Sequence, residues 1–338
     1  MRKSILAIVV FLWAISGFAQ KVDYNKHYYS VINQAELLLI SEQHDKALAQ
    51  YYAAFKNVPT PLARDIFNAA VCATLTGDYE SAFKLLDQLI VKGTDITFIK
   101  SMEVFSALVN DSRWEIFVNN YPRNRKIYLQ TINVPLRKEL EWMAALDQHF
   151  RLKDNGMAVY QDTIAQIDKN NIDRFNGIIE KFGFPGEDLI GVENPASAPP
   201  YHTILNHLCH KASMGMGKGI AEINFPLQEF VKFGKLSPYR FANFIDQQGK
   251  PVYGNTVFYR LDNSPELRVL VLGEKGLKKI NKNRASVGLE SLEDYQKKVL
   301  FALKDSRFIF NFNGSIVSLN GMSAKEKEAF IQQSKVVE

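Results

Sequence analysis

Apolar residues recur through the first third of the chain at steps of three and four, the spacing that lines up one face of an α-helix. Between Tyr28 and Gly93 the pattern comes twice. Ala47, Tyr51 and Ala54 form one set ending at Pro59, and Gly77 and Tyr79 lead into a second, Ala82, Leu86 and Leu89. The step from Ala47 to Ala82 is 35 residues, and Ala35 and Ala70 take matching places on the preceding helices. Phe98, Met102, Phe105 and Leu108 continue the stripe, and residues 111–121, through Trp114 and Phe117, supply a closing helix. The run Tyr121-Pro122-Arg123-Asn124-Arg125-Lys126 then interrupts the periodicity, which places a domain boundary near Val134-Pro135.

Helical periodicity resumes over 136–151, with Leu140, Met143, Ala144 and Leu146 on one face, and over 171–182, stopped by Gly183-Phe184-Pro185-Gly186. A helix from Pro200 carries His202, His207, Cys209 and His210; beyond the glycine-rich turn at 215–219, helical stretches reach Gly234 and span 238–246. β character appears only over 252–261 and 267–272, and where 308–312 and 315–319 flank Asn313-Gly314, a hairpin signal. A charged helix is expected over 323–333.

The small residues and aromatics at these spacings resemble a pair of tetratricopeptide repeats, in which small side chains admit the neighbouring helix. The second region carries an ordered series: Glu139-Leu140, Met143, Asp147-Gln148 and Arg151; Ile178-Ile179 with Phe182-Gly183-Phe184-Pro185; Gly191; His207; Asp246, Gly249 and Tyr253-Gly254; Asn283-Arg284 with Gly288-Leu289. Over about residues 137–290 it resembles an uncharacterised bacterial family, the domain of unknown function numbered sixty-six twenty-four. Gln247 stands where that pattern has Arg, and Asn255-Thr256 where it has Thr-Gln. The resemblance implies no activity. The expected fold is mostly α: a tetratricopeptide-like helical stack over 20–130, a mainly helical α+β domain with small β-hairpins over 136–290, and a C-terminal helix-hairpin-helix extension over 291–338.

Composition adds the address. Arg2 and Lys3 precede an apolar run over 5–15 and the small residues Ser16, Gly17 and Ala19, the order of a cleavable export signal. The run is too short to span a bilayer, which needs about 20 residues. A cut after Ala19 is expected, leaving a mature chain without a membrane span in the periplasm or the medium. Of the 338 residues, 46% are hydrophobic and 23% charged, ordinary for a globular protein. Losing Arg2 and Lys3 leaves 39 basic residues against 36 acidic, +3 instead of +5, too weak a bias for nucleic acid as the main partner. Cys72 and Cys209 read as buried free thiols.

The candidate chemistry is a polar set: Asp147, Gln148, Arg151, His207 and Asp246. Asp147 and Arg151 are four apart and share a helix face. An ion pair that fixes the helix is one account of them. The other is a pocket in which His207 titrates near neutral pH beside an oriented carboxylate and an anion-binding arginine. No metal site is expected, since His202, His207 and His210 lack a His-Glu-x-x-His arrangement, and no cofactor is implied. Gly215-Met216-Gly217-Lys218-Gly219 lacks phosphate-loop spacing and reads as a flexible turn; Lys275, Lys278, Lys279, Lys282 and Arg284 read as a solvated basic face. Two functional classes stay open: a module binding a protein or peptide through its helical repeats, or an envelope or extracellular hydrolase using the polar set.

Overall fold

The computed structural model describes residues 22–249, 251–261, 264–310, 312 and 314–337. The export segment expected at 1–19 and Asn313 of the expected hairpin lie outside the described residues. The chain is mostly helical with a small mixed sheet, as the periodicity implies.

Two helical pairs open the fold: α1 (Ser30–Ile40) with α2 (His44–Lys56), and α3 (Ala63–Leu75) with α4 (Tyr79–Lys92). Ala35, Ala47, Ala54, Ala70 and Ala82 are fully buried, because a residue without a γ-carbon lets the neighbouring helix approach closely. Gly93 ends α4 at φ +122°, where a Cβ would meet the Val192 carbonyl at 2.2 Å. This packing is compatible with a helical repeat.

The third unit departs from expectation. After the short α5 (Ile96–Ser101) the chain forms a 3-10 helix, Glu103–Asn110, and then a long α6 (Arg113–Thr131) that runs through Pro122. Tertiary contacts outweigh the proline: Asn124 donates to Asp87 at 2.6 Å, and Arg125 reaches the Gly93 carbonyl at 2.6 Å, so the polar run grips α4 instead of forming a linker. Asn133 then caps the next helix by accepting from Leu136 N, so the chain turns where Val134-Pro135 predicts.

The second region is built on α7 (Val134–Arg151), α9 (Gln161–Phe182) and α11 (Tyr201–Ser213), which pack together, with one-turn helices α8 (Gly156–Val159) and α10 (Glu187–Ile190) between them. α9 begins ten residues before the expected 171, and in its polar first half Ile164, Ile167 and the ion-paired Asp168 are buried. Next come α12 (Leu227–Lys232), α13 (Pro238–Asp246), α14 (Glu274–Ser286), α15 (Leu292–Ala302) and α16 (Ala324–Gln332), the last closed by a Ser323–Glu326 capping box. The basic run lies on α14, with its four lysines exposed; Arg284 is fully buried, a correction to the solvated-face reading.

Strands β1 (Phe258–Arg260), β2 (Arg268–Leu270), β3 (Ile316–Ser318) and β4 (Ser334–Val336) form a sheet in the order β3-β1-β2-β4. β1 and β2 are antiparallel, as a hairpin requires. The expected pairing of 308–312 with 315–319 is not made: β3 lies parallel to β1, Phe258 facing Ile316. Residues 308–310 turn instead to the helical stack, where the Asn68 side chain donates to the Ile309 carbonyl and accepts its N–H, both at 2.9 Å.

That clamp belongs to a larger junction. α1 packs against α15, Asn33 donates to the Gly288 carbonyl at 2.9 Å, and Gly288, at φ +80°, leaves no room for a Cβ beside Tyr29. Three buried carboxylates, Glu36, Asp65 and Glu290, meet three buried cations, Arg64, Arg284 and Lys298. Lys298 Nζ lies 2.6 Å from Glu36 and 3.2 Å from Glu290; Arg64 reaches Glu36 at 3.0 Å and Asp65 at 2.7 Å. Tyr28 and Tyr239 donate to Asp65 and Glu290. The faces of α1 and α3 turned to the C-terminal half are thus covered by the chain's own residues, and one hydrophobic core runs from Tyr24 to Phe308.

His202 gives this fold a pH dependence. It stacks on Phe244 at 5.4 Å, its Nδ1 has no hydrogen-bond partner, and burial pushes it down to about 4 from the ordinary 6.5. Between those two values the unfolded chain holds the proton and the folded chain does not, so stability is lost as the pH falls through the window, by about 3 kcal/mol in all. Urea unfolding of wild type and His202→Phe at pH 7 and pH 4.5 checks this; the variant is expected to show the shallower decline.

Candidate functional site

Four of the five expected site residues meet. Asp147, on the buried face of α7 and 2% exposed, places Oδ1 2.6 Å from His207 Nδ1 on α11 and Oδ2 2.9 Å from Arg151 Nη1. The histidine contact has ion-pair distance without the direction of a hydrogen bond, since Nδ1 finds no aligned acceptor. Gln148 Nε2 donates to Asp147 Oδ1 at 3.0 Å and lies 3.5 Å from His207 Nε2. Two further residues complete the cluster. Asp168 on α9 takes Arg151 Nη2 at 2.6 Å and Lys211 Nζ of α11 at 2.9 Å. Lys211 follows His207 by one helical turn, a spacing visible in the sequence, whereas Asp168 lies in the part of α9 whose helical character the pattern did not show.

The cluster ties three helices together through alternating charges. Asp168 already has two cationic neighbours and Asp147 has Arg151 and the His207 imidazole, and the cleft beside them, lined by Ile172, Ile204 and Leu208, has room for the centre of a water over only about 10 Å³. What can still act is His207, whose side chain is 24% exposed.

Asp246 is not brought into this set. At the end of α13 it accepts the backbone N–H groups of Val252, Tyr253 and Asn255 at 2.7–2.9 Å, and burial raises its carboxyl above the usual range. Asn283 and Arg284 hold the other side of the same loop, donating to the carbonyls of Val252 and Tyr253. The motif residues of this stretch therefore clamp the segment leading into β1. That is why 252–255, within a run read as strand from its composition, is loop: its backbone groups bond to side chains instead of a neighbouring strand.

The histidines do not converge, since His202 turns to Phe244 and His207 to Asp147; among the described residues no group of three or more His, Cys, Asp or Glu is placed to hold a metal ion. Cys72 and Cys209 are both buried and unpaired, and burial pushes each thiol up to about 12.

A larger opening lies at the junction of the two halves; its space of about 930 Å³ includes the solvent at its mouth, and the part that the centre of a water can reach is about 70 Å³. Tyr29, Asn33 and Arg64 line it from the helical stack, Arg137 from α7, and Glu187, Tyr201, Tyr239 and Arg240 from the C-terminal half, with residues 193–200 along the rim. Pro185, Pro195, Pro199, Pro200 and Pro238 give it stiff apolar walls. Nothing in the periodicity pointed here, because the cleft exists only where residues distant in sequence meet.

Fold and cleft together define a mostly helical protein whose repeat-like stack is fused to a second helical layer around an open junction. No family model matches the chain, and neither a curated protein nor a solved structure matches it. Among the described residues no helix is long and apolar enough to cross a membrane.

Proposed function

We propose that this is an exported binding protein that receives its ligand in the junction cleft, with the tetratricopeptide-like pairs and the domain resembling family sixty-six twenty-four forming its two walls. One observation carries this: a polar-and-apolar recess reaching both halves is built from side chains the fold holds rigidly, Arg64 by the buried charge network and Tyr201 in the core beside Phe175 and Phe184. The faces of α1 and α3 are less suited to a partner, since the chain's own 288–309 region lies on them. The Asp147–His207 contact is what favours the alternative, a hydrolase; the series of contacts from Asp147 through Arg151 and Asp168 to Lys211 and the small adjoining cleft weigh toward a structural role.

A thermal-shift screen of small metabolites and short peptides against the full chain tests the proposal. A ligand at a hundred times its Kd stabilises by about 2.7 kcal/mol. That shift is expected to vanish in Ala198→Trp, which places an indole on the exposed rim of the cleft. Hits that stabilise both proteins equally would place the site elsewhere.

A further inference from the structure

Among the described residues around the junction cleft, the charged groups without an ion pair are Arg240 and the exposed Glu193. Arg64 faces Glu36 and Asp65, Arg137 faces Glu141 at 2.7 Å, Lys235 pairs with Asp188, and Lys92 lies 3.4 Å from Glu187. Arg240 has no carboxylate. Its Nη2 donates to the Ser197 carbonyl at a long 3.3 Å, and its Nη1 is buried with no partner. Arg64 lines the same cleft, and its Nη1 is likewise buried and unpartnered. Burial, with the Arg64 charge acting in the same direction, holds Arg240 below the ordinary arginine range even though Tyr201 and Glu187 oppose the shift. Glu193, on the rim, is exposed to solvent.

A buried guanidinium nitrogen left without an acceptor is unfavourable, and one on each of two arginines of the same cleft more so. Such an arrangement is understandable where a bound anion completes it. A guanidinium fork matches a carboxylate in two parallel hydrogen bonds, and Arg240 is the buried cation of the cleft that has no ion pair among the described residues. The prolines and Tyr201 beside it suit an apolar body attached to that group.

Resting on the reading of the cleft as the ligand site, we propose that Arg240, assisted by Arg64 Nη1, binds the carboxylate of a monoanionic ligand with an apolar body. The probes are N-acetyl-leucine, N-acetyl-phenylalanine and 4-phenylbutyrate, each against its primary amide, together with inorganic phosphate, titrated calorimetrically into the full chain. At least one acid is expected to bind and its amide to bind at least tenfold more weakly, with a comparable loss for the acid in Arg240→Gln. Free of ligand, Arg240→Met is expected to melt about 2 °C or more above wild type, because it removes a buried charge that nothing balances. A clear fall in its melting temperature would mean that the guanidinium serves the fold, and would overturn the assignment.

Phosphate binding without any acid binding overturns it as well, in favour of a phosphate ligand. Acids and amides that bind alike, insensitive to Arg240→Gln but abolished by Ala198→Trp, overturn the carboxylate while leaving the cleft as the ligand site. If no probe's binding depends on Ala198, the cleft reading falls and the carboxylate with it.

Discussion

Replacing Lys298 by methionine is expected to lower the stability of the fold by about 3–5 kcal/mol. The ammonium is fully buried between Glu36, on the first helix of the stack, and Glu290, just before α15. Methionine fills similar space but leaves three buried carboxylates facing two cations, so the cost is an uncompensated charge more than a cavity. Its melting temperature should fall by about 10 °C. Adding Glu36→Gln to Lys298→Met restores the charge count and should return part of the loss, which a double-mutant cycle in urea would show as coupling between the two positions. A loss below about 1 kcal/mol in the single variant would mean that the network does not join the halves energetically. The exposed Lys84–Glu80 pair is the control, since a solvated pair at helical spacing leaves the unfolding midpoint essentially unchanged when broken.

Arg151→Met is the second large effect, and it decides how the Asp147 cluster is understood. Arg151 sits between two buried carboxylates, 2.9 Å from Asp147 and 2.6 Å from Asp168, and removing it leaves them facing each other across α7 and α9 with only His207 and Lys211 beside them. A loss of about 3–5 kcal/mol is expected. His207→Ala should cost far less, because the imidazole is partly exposed and its contact with Asp147 is not an aligned hydrogen bond. A catalytic pocket would give the reverse: both variants folded as wild type, and both inactive toward a hydrolysable substrate. Urea unfolding of the two variants separates the outcomes without any substrate in hand.

The residues of the resemblance divide between two structural tasks. Asp147, Gln148, Arg151 and His207 join α7 to α11, Asp246, Asn283 and Arg284 fold the loop into β1 about Tyr253, and Gly288 lies against Tyr29. Ordered motifs separated by about a hundred residues can therefore mark contacts that hold a fold together as readily as reacting groups. Spacing alone does not distinguish them, because a buried ion pair and a catalytic pair use the same side chains at the same distances.

What the sequence by itself determined is local. The three-and-four periodicity placed α1 to α4, α7, α11 and α13 with their buried faces, the alanines marked where helices touch, and Asn133 and Ser323 set two helix starts by satisfying backbone N–H groups at the first turn. Those features follow from interactions within a few residues, so the chain carries them openly. Only the tertiary structure decided that α6 runs through Pro122, that 315–319 pairs with β1 instead of 308–312, that Asp246 leaves the polar set, and that Arg64 and Arg240 line one cleft. Each of those outcomes depends on partners far along the chain, and the free energy of a long-range contact, a buried charge above all, is set by what it meets and not by its neighbours in sequence.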